Sequence, residues 1–109
     1  MSLAVVYSRA QEGVNAPLVI CEVHLSGGLP GTSIVGLPET AVREARDRVR
    51  AAILNCQLEY PQRKVTVGLA PADLPKDGGR FDLPIALGIL AANDSIPRLL
   101  QEFEQADAS

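Results

Sequence analysis

The chain has 109 residues, of which 47% are hydrophobic and 21% charged, with a net charge of −3 at pH 7. That length suits one domain with its own core, and the hydrophobic content excludes a disordered chain. The negative balance argues against a domain whose main task is to grip a phosphate backbone, while leaving room for a local basic patch.

Aromatic residues make up 4% and tryptophan is absent, so the core must be aliphatic. Residues 3–7, "LAVVY", predict a first strand. Residues 17–25, "PLVICEVHL", predict a longer one. Its odd positions Val19, Cys21, Val23 and Leu25 are all apolar, and its even positions turn polar at Glu22 and His24. His24 therefore belongs to the surface. "SGGLPG" at 26–31 predicts a turn and "TSIVGL" a third short strand; the short connections predict antiparallel hairpins.

Residues 38–56, "PETAVREARDRVRAAILNC", predict the clearest helix, with Pro38 at its first position and Glu39 at its positive end. Ala41, Val42, Ala45, Val49, Ala52, Ile53 and Cys56 share one face at helical period. Glu39–Arg43, Arg43–Asp47 and Glu44–Arg48 are opposite charges four apart, each pair adding about 0.2–0.5 kcal/mol. Arg43, Arg46 and Arg50 cluster along one edge: a solvated flank, or a contact for an anion or another subunit. "YPQRK" breaks the chain, and "VTVGLAPAD" restarts a strand with Val65, Val67 and Leu69 on one side. Residues 83–92, "LPIALGILAA", are apolar all round and predict a covered helix, with Asp82 as N-cap and Pro84 in the first turn. Residues 96–105 predict a short amphipathic helix through Ile96, Leu99, Leu100 and Phe103, with fraying beyond it.

Two cysteines, Cys21 and Cys56, and one histidine are too few for a zinc site, and no CxxC pair occurs. Both cysteines lie in apolar stretches and read as buried thiols of a reducing compartment. The N-terminus lacks a basic region followed by a long apolar run, and the 83–92 run is too short to span a bilayer. A cytoplasmic protein is expected.

The segment "LPKDGGRFD" between the last strand and the apolar helix is glycine-rich and leads into a helix N-terminus with free N–H groups, an arrangement suited to an anion or oxyanion. It is not a P-loop, because no Gly-Lys-Ser/Thr occurs anywhere in the chain. Between Asp73 and Asp94 there is no Ser, Thr or Cys to act as a nucleophile. Lys76, Asp77, Gly78, Gly79 and Arg80 are the candidate anion- or partner-binding loop, and Arg43, Arg46 and Arg50 the candidate basic helix edge. No catalytic residue and no metal ligand is assigned.

"PKDG" before an apolar helix resembles the proteolytic domain of Lon proteases, whose loop runs roughly PKDGPSAG with the serine as nucleophile. Arg80 stands where that serine would be, and a protonated guanidinium has no lone pair to attack a carbonyl. More extensively, "GLPGTSIVGLPETAVREARDRVRAAI" and "PADLPKDGGRFDLPIALGIL" resemble the N-terminal domain of the YifB/ComM family, bacterial AAA+ ATPases labelled magnesium chelatase-like. The likeness covers about residues 2–92.

The resemblance implies an α+β, Lon-like βββαβα core, a mixed sheet packed against helices, without protease chemistry. It implies that a hexameric ATPase motor follows in the full-length protein and that the family works in natural transformation, where the motor drives branch migration of DNA. ATP and Mg²⁺ are expected in that motor and no cofactor in this chain. The expected partners are the motor domain, other copies of the chain, and DNA, with no membrane. Residues 1–92 are expected to be the Lon-like domain. Residues 93–109, a terminal helix and tail, replace the further strands with which members continue; they are expected to mark a divergent or truncated product, leaving a sheet edge open. A non-catalytic accessory domain is the leading expectation. A peptidase or chelatase component and a purely structural oligomerisation module are the alternatives.

Overall fold

Alternation in two strands places the core. The computed structural model describes residues 2–9, 17–71 and 80–94. In β2 (Leu18–Ser26), Val19, Cys21, Val23 and Leu25 have no exposed surface, and in β4 (Lys64–Ala70) Val65 and Val67 have none and Leu69 almost none. These two strands lie side by side and antiparallel, with Val23 opposite Val67. On their flanks lie β1 (Ser2–Arg9), antiparallel to β2, and β3 (Gly31–Val35), parallel to β4. Among the described residues the sheet order is therefore β1-β2-β4-β3, and the molecule is α+β with a mixed sheet, as expected.

One predicted hairpin forms and one does not. β1 and β2 pair from Ser2 opposite Leu25 to Arg9 opposite Leu18. β2 and β3 are separated by β4. The 27–30 connection thus crosses the width of an intervening strand, a step of about 10 Å. β3 meets its parallel neighbour through α1 (Glu39–Asn55), the kind of long crossover that parallel pairing requires. A glycine permits the exit from β3: Gly36 has φ +103°, and a Cβ there would collide with the Leu69 backbone.

Both helices pack on the same face of the sheet. α1 buries Ala45, Val49 and Ile53, while α2 (Asp82–Ala92) buries Pro84, Ile85, Gly88, Ile89, Leu90 and Ala92. Each fully buried Val, Leu or Ile is worth about 1.5–3 kcal/mol relative to exposure. At Gly88 the helix approaches β2 so closely that a Cβ would lie 2.6 Å from Val23 Cγ2. Among the described residues no element covers the opposite face of the sheet, where Leu3, Val5, Tyr7, Leu18 and Val35 are exposed. His24 lies there, as its pattern predicts, 3.8 Å from Glu22.

Four local expectations need correction: the position of Pro38, the buried face of α1, the burial of Cys56 and the capping role of Asp82. Pro38 precedes α1 with an extended ψ of 144° and contributes its carbonyl, which accepts from the Ala41 N–H at 2.9 Å. Ala52 and Cys56 point outward, because the stripe that α1 buries is narrower than the predicted face. Cys56 is accordingly an exposed thiol. Asp82 is the first residue of α2 rather than its N-cap, and its carboxylate is engaged by Arg48 instead. The predicted helix at 96–105 lies outside the described residues.

Candidate contact site along helix α1

The helical period distributes the arginines of α1 to opposite sides. Arg46 and Arg50, four apart, lie on one side; Arg48, two positions from each, is turned about 200° away from them. Arg48 points to α2. Its Nε donates to Asp82 Oδ2 at 2.6 Å and its Nη2 to Oδ1 at 3.3 Å, and Glu44 lies 3.6 Å from its Nη1. These carboxylates hold the Arg48 guanidinium above its ordinary pKa, its hydrogen bond to Asp82 contributing most. Of the three predicted i,i+4 pairs, Glu44–Arg48 is the one that closes among the described residues.

Arg43, Arg46 and Arg50 point to β3. Arg43 and Arg46 form one wall of a cleft of about 480 Å³, facing Thr32, Ser33 and Ile34. Arg46 and Arg50 line a second cleft of about 280 Å³, with Thr32, Asp47 and Tyr60. Arg46 and Thr32 belong to both, so the two clefts run together along β3. The far end is closed by a chain of contacts: Arg50 stacks 5.7 Å from the Tyr60 ring centroid, and the Tyr60 and Thr32 hydroxyls share a 2.6 Å hydrogen bond. With Glu39 and Asp47 also in the walls, three arginines face two carboxylates, an excess of one positive charge.

The predicted basic edge thus becomes one wall of a groove. Of the predicted loop, Lys76, Asp77, Gly78 and Gly79 lie outside the described residues. Arg80 is exposed just before α2 and lines neither cleft. The structure therefore does not join Arg80 to the arginine edge. Sequence reasoning missed Thr32, Tyr60 and the Arg48–Asp82 bridge. The first two are 28 residues apart and the last pair 34, so no local spacing could reveal them.

The buried thiol offers little chemistry. Burial, helped by the Glu22 carboxylate, pushes the Cys21 thiol up to about 11, the direction that suppresses the nucleophilic thiolate. Among the described residues no group of three or more His, Cys, Asp or Glu side chains could hold a metal, and no helix is long and apolar enough to cross a membrane.

The family model described as "Subunit ChlI of Mg-chelatase" matches residues 21–106, and the chain belongs to that family. It is 65% identical over 105 residues to the competence protein ComM of Haemophilus influenzae, covering 95% of this chain and 21% of the relative. It is 60% identical over the same length to the uncharacterized protein YifB of Escherichia coli, again covering 95% of this chain and 21% of the relative. An uncharacterized protein of Mycobacterium tuberculosis is 41% identical over 97 residues, or 89% of this chain and 19% of that relative. The chain spans about a fifth of the length of the curated relatives it matches.

Proposed function

We propose that this chain is a non-catalytic, Lon-like accessory domain of a ComM/YifB-type AAA+ ATPase engaged in DNA processing during competence, and that it works by contact. The observation that carries the contact reading is the convergence of Arg43, Arg46 and Arg50 on one continuous groove beside β3. An arginine row on one side of a helix, with a tyrosine stacked at its end, favours an anionic partner more than a scattered basic surface would. The element order β1β2β3α1β4α2 supports the Lon-like reading, and the 65% identity to a competence protein supports the biological setting. Arg80 at the position of the Lon serine, with Cys21 buried and held as a thiol, supports a non-catalytic role.

The test is titration of the chain with branched DNA and with poly-glutamate, at 50 and 200 mM salt. If all three arginines meet phosphates, DNA affinity falls by up to about 40-fold over that range. Binding of at least one polyanion is expected, weakened both by salt and by Arg46→Glu. Salt-insensitive behaviour towards both removes the arginine row as a contact surface. Cleavage of unfolded casein by the purified chain overturns the non-catalytic reading.

A further inference from the structure

β3 is an edge strand, with β4 as its one neighbour among the described residues. The Gly31 N–H donates to the Arg63 carbonyl at 3.4 Å, and Gly31 is in register with Lys64. Backbone groups of a strand in a parallel pair alternate between its two sides. Gly31, Ser33 and Val35 therefore turn their N–H and C=O groups to β4, and Thr32 and Ile34 turn theirs outward. Thr32 and Ile34 also line the groove whose other wall carries the arginines. Among the described residues, an open edge thus runs beside a row of guanidinium groups.

The spacing along the row is shorter than that of an extended chain by about 1–2 Å per step, a difference that the long arginine side chains can span. Arg43 and Arg46 are separated along the helix by about 4.5 Å, and Arg46 and Arg50 by about 6 Å. Side chains on one face of a strand repeat at about 6.6 Å. We propose that this groove receives an extended acidic peptide segment, which adds as a strand to the outer edge of β3 and presents carboxylates at alternate positions to Arg43, Arg46 and Arg50. This deepens the reading of the arginine row as a contact surface and rests on it.

Two observations favour a peptide over a phosphate backbone. Thr32 and Ile34 each offer an outward donor and an outward acceptor, and a partner strand satisfies both. Phosphate oxygens only accept, and would leave the two carbonyls facing negative charge. Glu39 and Asp47 stand among the arginines, so the groove opposes a continuous run of phosphates while accommodating a peptide whose charges are spaced.

The experiment uses the 109-residue chain and an octapeptide alternating glutamate and valine. Two further versions of the peptide are N-methylated, each on one alternate set of residues. A strand pairing to a single edge uses only one set of its N–H groups. One methylated peptide is expected to bind at least tenfold more weakly, and the other within about twofold of the parent. Bound peptide should slow amide exchange at Thr32 and Ile34 at least tenfold, and Arg46→Glu should weaken binding by a similar factor. Equal binding of the two methylated peptides, or unchanged exchange at Thr32 and Ile34, overturns the proposal. If the peptide fails while branched DNA binds in a manner sensitive to salt and to Arg46→Glu, the strand proposal falls and the contact surface stands. Failure of every polyanion removes both.

Discussion

Cys21 and Cys56 show how much one residue's surroundings decide. Cys21 lies inside the core on β2, whereas Cys56 sits at the exposed end of α1. A thiol reagent at pH 8 is therefore expected to label Cys56 rapidly and Cys21 only on unfolding. The raised Cys21 pKa also has a sign in stability. Below about pH 9 both states hold the proton and nothing is lost. Above it the unfolded thiol ionises first, so stability falls as pH rises through the interval from 9 to about 11. Between pH 8 and 10.5 the loss is on the order of 2 kcal/mol. Urea melts of the parent and of Cys21→Val at those two pH values check it: the variant should lack that part of the decline. The apolar alternation of β2 made the burial of Cys21 legible in the sequence. Cys56 misled because it continues the period of the helix, while the stripe that α1 buries has already ended at Ile53.

At the scale of elements, six segments were legible: alternation of period two marked β2 and β4, the 3.6 period marked α1, and short apolar runs bounded by Gly, Pro or Asn-Asp marked β1, β3 and α2. Partnership was not. A hydrophobic alternation specifies a face and is silent about which strand lies alongside, so the insertion of β4 between β2 and β3 escaped the pattern. One signal was nevertheless present: strand, long helix, strand is the form of a parallel crossover. The candidate site divides in the same way. The arginine row could be read from helical spacing, but Thr32 and Tyr60 complete it only through tertiary contact. The end of α1 carries a prediction of its own. Gln57 has φ +62°, and beyond it the N–H of buried Leu58 donates to the Ile53 carbonyl at 3.3 Å. A side chain makes this left-handed conformation costly, and glycine relieves that cost while losing some entropy on folding. Gln57→Gly should stabilise the chain by about 0.5–1 kcal/mol, read as a higher urea midpoint with an unchanged slope.

At the scale of the molecule, the helices among the described residues lie on one face of the sheet, and β1 tests that asymmetry within two adjacent residues. Val5 is 42% exposed on the open face. Val6 points the other way, into the apolar cluster beneath α2, near Gly88 and Val23. A lysine at position 5 keeps its ammonium in water and should change stability by no more than about 0.5 kcal/mol. A lysine at position 6 must either bury its charge or displace α2, and should cost more than about 2 kcal/mol. Urea denaturation of Val5→Lys and Val6→Lys, at low protein concentration and again tenfold higher, separates the two faces. Equal damage from both would mean that the open face is covered in solution. A midpoint for the parent that rises with concentration, and for Val5→Lys does not, would identify the cover as a second copy of the chain. A large loss for Val6→Lys alone, at either concentration, is the result expected of a sheet with one buried face.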